Sequence, residues 1–477
     1  MSDSAVTGEQ QTSWRYHVAL LLWLAVLFMS ARPSDGDRYL HGDSMHYAGI
    51  ARSTLESGDL MSLQLAGEPY FKKPPLLFWM AMGMFQLGGY TTWMAELVGI
   101  LPALGAIVFF YFIVRRLKDD RHAFLAAGAM AFTYVFLRNA MALRFSAPLT
   151  LSLLLSLWAV IEGERRRAVL PLFWVGAMIG VGLKGPAGLL CLPVLLLWSL
   201  LRRRAYPFNV PVFWLGLPLV PLLVLPWYFH MQEVHGEAFM DALRFEAAKV
   251  AGGEGSGVVA GKYGKDLVRE YWPWLPFLLH GAWVTVRSWW RGQRDDRTSL
   301  PLAWILGVSI VLLSLNRAYS RYVVPMVPAW SLLVAVSLLT LWPRAVGARL
   351  YRGMIVFLAF GTAIVAFTPV ALHGDRLPDV VRFQQSWLAV AGLEDDTWVL
   401  DDQVSWTQQS AAVFYGGMKL RALPPDEALA ALARDGPRIA MVRHRDRSRI
   451  PPGVEARVID SGREYDLVEL SLTAPGG

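Results

Sequence analysis

The stretch from Tyr39 to Trp79 reads YLHGDSMHYAGIARSTLESGDLMSLQLAGEPYFKKPPLLFW. It is polar, yet it lies between one apolar run and a long series of others. Asp43 opens it and Lys73-Pro74-Pro75-Leu76 closes it. Asp43 ahead of Ser44 to Ser57, with Gly58 after, predicts a helix with an N-cap aspartate and a C-cap glycine. Prolines 74 and 75 then stand where a second helix starts, because the N–H that proline lacks goes unpaired there in any case. A polar loop held by an apolar scaffold is where chemistry usually sits.

Outward from this stretch the chain is apolar. Hydrophobic residues make up 55% of the 477 and charged residues only 17%, against about 25% charged in a soluble domain. The expected fold is an α-helical polytopic membrane protein. The apolar runs are 16–31, 93–114, 122–141, 147–161, 169–183, 186–201, 211–230, 273–290, 300–315, 322–342 and 351–371. They give about 11 spans, or about 13 if pairs are merged or missed. The first run follows a long, nearly neutral leader and reads as an uncleaved first span.

The formal net charge of +7 sits in arginine clusters between runs, at 115–118, 165–167, 202–204, 287–297 and 344–352. Clusters so placed mark cytoplasmic loops and exclude a nucleic-acid face. All five fall on the cytoplasmic side if the N-terminus is inside and the short run 76–89 does not cross. Run 76–89 is therefore read as interfacial or re-entrant, and the loop 32–92 as extracytoplasmic. The pieces 141–146, 184–186, 230–272 and 314–321 share its side, the long 230–272 piece as a loop. The C-terminus falls outside. The lone Cys191 forms no intrachain disulfide and reads as a buried hydrophobe.

From 373 to 477 the long apolar runs stop. Residues 397–400, 438–442, 454–459 and 465–470 read as strands, 425–434 as a helix, and Asp460-Ser461-Gly462 as a turn. This predicts a membrane domain over 1–372, with its polar loop at 32–92, and a small extracytoplasmic α/β domain over 373–477.

The order Gly-Asp, Tyr-Ala, Ile-Ala-Arg, Ser-Gly-Asp, Tyr-Phe and Lys-Pro-Pro-Leu resembles the first extracytoplasmic loop of the aminoarabinose transferase and protein mannosyltransferase superfamily. Lys184-Gly185-Pro186 and the stretch 314–325, SLNRAYSRYVVP, resemble later loops of the same family. The resemblance implies a C-type membrane glycosyltransferase. Its donor would be a polyprenyl-phosphate sugar, and its acceptor a lipid, a glycan or a protein at the outer face.

The resemblance assigns Asp43 as the base that takes the acceptor's proton, a role that suits a carboxylate at the membrane surface. Capping suits Asp43 equally, and the two roles are compatible. Tyr47, one turn on, is read either as lining a sugar or phosphate pocket or as part of the interfacial aromatic belt. Lys73 is read as a phosphate contact or as a snorkelling anchor. Lys184, Arg317, Arg321 and Tyr322, joined by Arg138 and Arg144, are read as cationic or aromatic contacts to the same phosphate, or as anchors at span ends.

The chain also departs from the family pattern. Lys72 stands where relatives carry Glu, Ser146 where many carry Asp, and His46 where close relatives carry Arg. Glu246 is the one acidic survivor suggested after position 230. With two carboxylates missing, a divalent metal is weakly supported, and no metal ligand or other cofactor is assigned. The glycine-rich segment 252–257 lacks a strand–helix context and reads as a loop, which argues against a nucleotide-sugar donor. Two rivals remain. A non-catalytic relative would bind polyprenyl-phosphate lipid or scaffold a glycan-modifying complex. A transporter is disfavoured by span centres free of charge.

Overall fold

The computed structural model describes Leu40, residues 42–251, 256–314, 318–342 and 397–473, and a few positions between 353 and 386. The expected spans 16–31 and 351–371 fall largely or wholly outside the described residues. The chain forms two compact units. One comprises residues 71–80 and 96–373, and the other residues 38–70, 81–95 and 374–477, each with further N-terminal or flanking positions left undescribed.

Helix α1 (Asp43–Ser57) opens the described chain. The hairpin β1 (Gln64–Leu65) and β2 (Glu68–Pro69) follows. Its register pairs Leu65 with Glu68. Ala66 and Gly67, the two residues between, both have positive φ. That is the turn geometry that matches the twist of a two-residue hairpin. Thr54 and Ser53 of α1 hold the hairpin: Gln64 N donates to Thr54 Oγ1 at 2.9 Å and Ala66 N to Ser53 Oγ at 3.0 Å. Gly58 ends α1 in the left-handed region at φ 80°, as the sequence predicts. The N-cap differs. It is Gly42, at φ 53°, and Asp43 is the first helical residue. A glycine tolerates that backbone where an aspartate would be strained.

The apolar runs become α2 (Leu76–Gly88), α3 (Thr92–Leu117), α4 (Asp120–Ala131), α5 (Tyr134–Ala140), α6 (Ser146–Gly163), α7 (Leu172–Lys184) and α8 (Cys191–Leu201). They continue as α9 (Leu219–Ala251), α10 (Ser256–Glu270), α11 (Leu275–Trp290), α12 (Asp296–Ser314) and α13 (Val327–Leu341). Every expected span within the described residues is helical. Among the described residues, six stretches are long and apolar enough to cross a membrane, or seven if α4 and α5, bent by 67°, form one span. Helix α2 has 13 residues and is about 20 Å long, short of a hydrocarbon core of about 30 Å.

The segment 230–272, expected as a loop, is instead mostly helix. Helix α9 runs past 230, with one non-helical residue at Gly236, and α10 follows. The polar residues there hide a helical period that hydropathy alone does not reveal.

In the first unit, small residues let helices meet closely. A Cβ on Gly176 of α7 would collide with Ser152 and Ser156 of α6, and one on Gly281 of α11 with the Leu333 carbonyl of α13. Ser156 Oγ also donates across to Phe173 O at 3.0 Å. Close approach of this kind replaces the hydrophobic drive that lipid does not supply.

In the second unit, β3 (Thr397–Val399), α14 (Trp406–Ala411), β4 (Leu420–Ala422), α15 (Ala428–Asp435), β5 (Arg438–Arg443), β6 (Val454–Ser461) and β7 (Tyr465–Leu472) build one sheet with flanking helices. Strand order is β4-β3-β5-β7-β6. The first three strands are parallel and the last two pairings antiparallel. Trp398, Leu400, Leu432, Val442, Val468 and Leu470 anchor its core. Strand β6 runs on through Ser461, so the expected turn begins two residues later than predicted. Helix 425–434 starts as a 3-10 turn, Pro425–Glu427, before α15. Strand β4 and helix α14 were not predicted.

Candidate functional site

The sequence nominates two groups of residues, and the units divide them. In the first unit, α7 ends at Lys184 because Gly185, at φ 61°, breaks the helix. A Cβ added to Gly185 would lie 3.6 Å from the Tyr228 hydroxyl and 4.0 Å from a ring carbon of Pro74. Lys184-Gly185 and Lys73-Pro74 therefore come together, although about 110 residues separate them. Lys73 is half-buried and Lys72 exposed.

The 3-10 segment Ser320–Met326 brings the next pair. Three hydrogen bonds from other elements fix it. Trp304 Nε1 of α12 donates to Pro325 O at 2.8 Å, Ser146 Oγ of α6 to Arg321 O at 3.3 Å, and an Arg138 Nη of α5 to Ser320 Oγ at 3.1 Å. So held, the Tyr322 ring lies under the Lys184 ammonium, 3.9 Å from nitrogen to centroid. The Arg321 guanidinium lies 4.5 Å from the Tyr319 ring centroid and 5.8 Å from that of Tyr322.

Charge is the salient feature here. Lys184 feels the like charges of both Lys73 and Arg321. Among the described residues it has no carboxylate partner, and its ammonium rests only on an aromatic face. Cation–π contact offsets part of the cost of holding such a charge away from water. Three converging cations make a receptor for an anion with several oxygens, such as a phosphate.

Of the other nominated residues in this unit, Arg144 donates to Asn139 Oδ1 at 3.2 Å. Arg138 also reaches Glu270, at 3.5 Å. Arg317 lies outside the described residues. Ser146, standing where the family resemblance implies a carboxylate, acts through its hydrogen bond to the Arg321 carbonyl.

Sequence reasoning did not assign several residues around this cluster. Glu270 is 2% exposed, pairs with Arg269 at 2.6 Å and Arg138 at 3.5 Å, and has a buried Oε2 with no hydrogen-bond partner among the described residues. Tyr263 of α10 lies beside Tyr322; burial, and then that neighbour, push its phenol up. Phe71 meets His235 at 5.0 Å between ring centroids. Tyr228 faces Gly185 as described above. Phe71 belongs to the Tyr-Phe motif, but no motif marks Glu270, Tyr263, Tyr228 or His235, which only tertiary proximity finds. Glu246 is half-buried on α9. Among the described residues, no group of three or more His, Cys, Asp or Glu side chains could hold a metal ion.

In the second unit, Asp43 is half-buried in the first turn of α1. A carboxylate there faces the positive end of the helix dipole. The helix is secured one turn further on. His46 Nδ1 is 3.0 Å from Ser410 Oγ of α14, and the His46 ring meets Trp406 at 5.1 Å and Tyr70 at 5.6 Å. A Cβ on Gly49 would lie 3.0 Å from the Ser410 carbonyl, so the two helices touch backbone to backbone. Arg52 donates to Phe414 O at 2.9 Å and stacks on Tyr90 at 4.2 Å. Leu40 N donates to the Tyr415 hydroxyl at 2.6 Å. Tyr47, half-buried, lies beside His46 with ring centroids 6.1 Å apart. The position where the resemblance implies Arg thus carries a histidine that docks α1 onto α14.

Comparison with known proteins adds the following. The family model described as dolichyl-phosphate-mannose-protein mannosyltransferase matches residues 72–230. An uncharacterized protein of Aquifex aeolicus is 23% identical over 349 residues, which cover 68% of this chain and 67% of that one. The undecaprenyl phosphate-alpha-4-amino-4-deoxy-L-arabinose arabinosyl transferase of Pseudomonas aeruginosa strain UCBPP-PA14 is 23% identical over 317 residues, 62% of this chain and 55% of its own length. This chain thus spans between about half and two thirds of these relatives. Among solved structures, ArnT from Cupriavidus metallidurans in the apo state superposes with a TM-score of 0.78 at 17% identity, covering 96% of this chain and 98% of that one. The same protein bound to undecaprenyl phosphate gives 0.77 at 18%, covering 95% and 96%. At these identities the superposition establishes a shared fold.

Proposed function

We propose, from the premise that this chain belongs to the C-type glycosyltransferase superfamily of aminoarabinose-transferase-like and mannosyltransferase-like membrane proteins, that it moves a sugar from a polyprenyl-phosphate donor to an acceptor at the outer face of a bacterial inner membrane. The acceptor class is a lipid, a glycan or a protein. The observation that carries this reading is the Lys184 ammonium on the Tyr322 ring, near Lys73 and Arg321 and with no carboxylate partner among the described residues.

In the proposed reaction the acceptor's nucleophilic oxygen attacks the anomeric carbon. The bond from that carbon to the phosphate oxygen breaks, and the electron pair leaves with the polyprenyl phosphate. Asp43 takes the acceptor's proton. Lys73, Lys184 and Arg321 stabilise the charge that develops on the leaving phosphate. Tyr322 supports the Lys184 ammonium, and Tyr47 lines the sugar side. Arg144 and Arg138 act one layer out, through Asn139 and Ser320. No step of this reaction is routed through a metal.

Ser146 favours a second reading, a relative that binds polyprenyl phosphate without transferring sugar. Its hydroxyl is committed to the Arg321 carbonyl, so it supplies no carboxylate chemistry. Radiolabelled undecaprenyl-phosphate sugars, given to the full chain in lipid with a crude acceptor extract, separate the two. Time-dependent loss of label from the donor supports the transferase. Saturable donor binding with no loss of label assigns the binding protein instead.

A further inference from the structure

A second basic cluster lies at the other end of the same helices. Helix α8 starts just after Lys184-Gly185 and ends just before Arg204. Helix α12 starts at the link carrying Arg294 and Arg297, and its chain returns toward Arg321. Lys118, directly after α3, joins Arg204, Arg294 and Arg297 around a single cavity of about 600 Å³. That size falls within the range of about 300–1,000 Å³ typical of small-molecule sites.

The cavity is short of negative charge. Asp295 is the one carboxylate in its lining. Its Oδ1 already accepts from Thr298 N at 3.1 Å and Thr298 Oγ1 at 3.0 Å. Among the described residues, none of the four cations makes an ion pair, and Arg294 Nε is buried without an acceptor. Burial pushes the Lys118 ammonium down; Asp295 and the neighbouring Asp119 offset this in part, and Arg297 adds to it. Nearby Arg202, by contrast, has two carboxylate partners. Arg204 and Arg297 are exposed, but Lys118 and Arg294 are half-buried, so an anion held among the four would offset a repulsion that water only partly screens.

The surroundings indicate where such an anion comes from. Trp283 and Trp290 of α11 and Trp342 after α13 are exposed. Arg287 stacks on Trp283 at 5.0 Å and Arg294 on Trp289 at 4.7 Å. Tryptophan and arginine gathered at helix ends mark the level of the lipid headgroups. An anion at that level is a phosphate of the membrane itself.

We propose that this cavity binds the phosphate headgroup of an anionic phospholipid, at the membrane face opposite to the donor cluster. The four cations supply the charge, and Thr285 and Ser288 offer hydroxyl donors. The site is independent of whether the chain transfers sugar.

The test uses the full chain in detergent, with native mass spectrometry counting retained lipid. Dioleoylphosphatidylglycerol and dioleoylphosphatidylcholine are supplied in equal amounts. Wild type is expected to retain the glycerol lipid preferentially. The double variant Arg294→Gln/Arg297→Gln is expected to lose roughly tenfold in that preference. The control Arg165→Gln/Arg166→Gln, on exposed arginines at the same end, is expected to keep it. If the double variant fails to fold, Arg204→Gln, on an exposed loop residue, is expected to lose roughly threefold with an unchanged melting temperature. Inorganic phosphate provides the other arm. If it binds this site as tightly as the lipid, and the lipid preference is absent, the lipid assignment is overturned. Equal retention of both lipids by wild type and by every variant overturns it as well.

Discussion

Arg202 and Lys184 are both cations drawn into the first unit near helix ends, and the protein treats them oppositely. The Arg202 side chain is 1% exposed, pairs with Asp296 at 2.9 Å and Glu164 at 3.7 Å, and donates to Tyr206 O at 2.6 Å. It also lies over the Trp198 ring at 4.1 Å. Lys184 has the aromatic contact but, among the described residues, no carboxylate, and two more cations press on it. A neutralised cation is a structural part. A cation gathered with others and left without a counter-charge is a receptor waiting for a ligand. The difference separates structural from functional charge without appeal to motif.

The largest expected effect tests whether chemistry accompanies the receptor. Asp43→Asn keeps the size of the side chain but cannot take a proton. It should lower turnover by roughly 10²-fold or more while leaving membrane levels and donor binding unchanged. Normal turnover in this variant would leave a receptor without a reaction. Next in size is Arg202→Ala. Removing one partner of a buried pair strands the others, but Asp296 and Glu164 keep some water. A loss of about 2 kcal/mol, seen as a lower melting temperature, is expected, with no change in donor affinity for the folded fraction.

Lys184→Met should show the reverse pattern. Donor KM is expected to rise roughly tenfold, since a phosphate contact is lost in the bound state as well. The melting temperature should hold or rise, because like-charge repulsion is relieved. If Lys184→Met instead melts like Arg202→Ala, the two cations are not different in kind. The smallest expected effect is that of chelation. Treatment with EDTA should leave most of the activity, and full restoration of a lost activity by one divalent ion would contradict that expectation.

The sequence made the membrane helices readable because their signal is local. A run such as 93–114 needs no partner to announce itself, and it returns as α3. Lys73, Lys184, Arg321 and Tyr322 were legible through short motifs, although their meeting was not. What stayed hidden depends on contacts distant in the chain. Glu270 sits in a polar stretch, and only folding buries it against Arg138. Helix α14 and strand β4 are three to six residues long, too short for periodicity to register, and packing rather than pattern fixes them. Asp43 looked like a cap, but the N-cap position falls on Gly42 and Asp43 is the first helical residue.

The hydrogen bond from Ser146 to the Arg321 carbonyl also limits what position 146 can hold. An aspartate there carries no proton to give at neutral pH, so it could not replace that donor and would set its charge against the carbonyl oxygen. It would therefore loosen the segment that presents Arg321 and Tyr322.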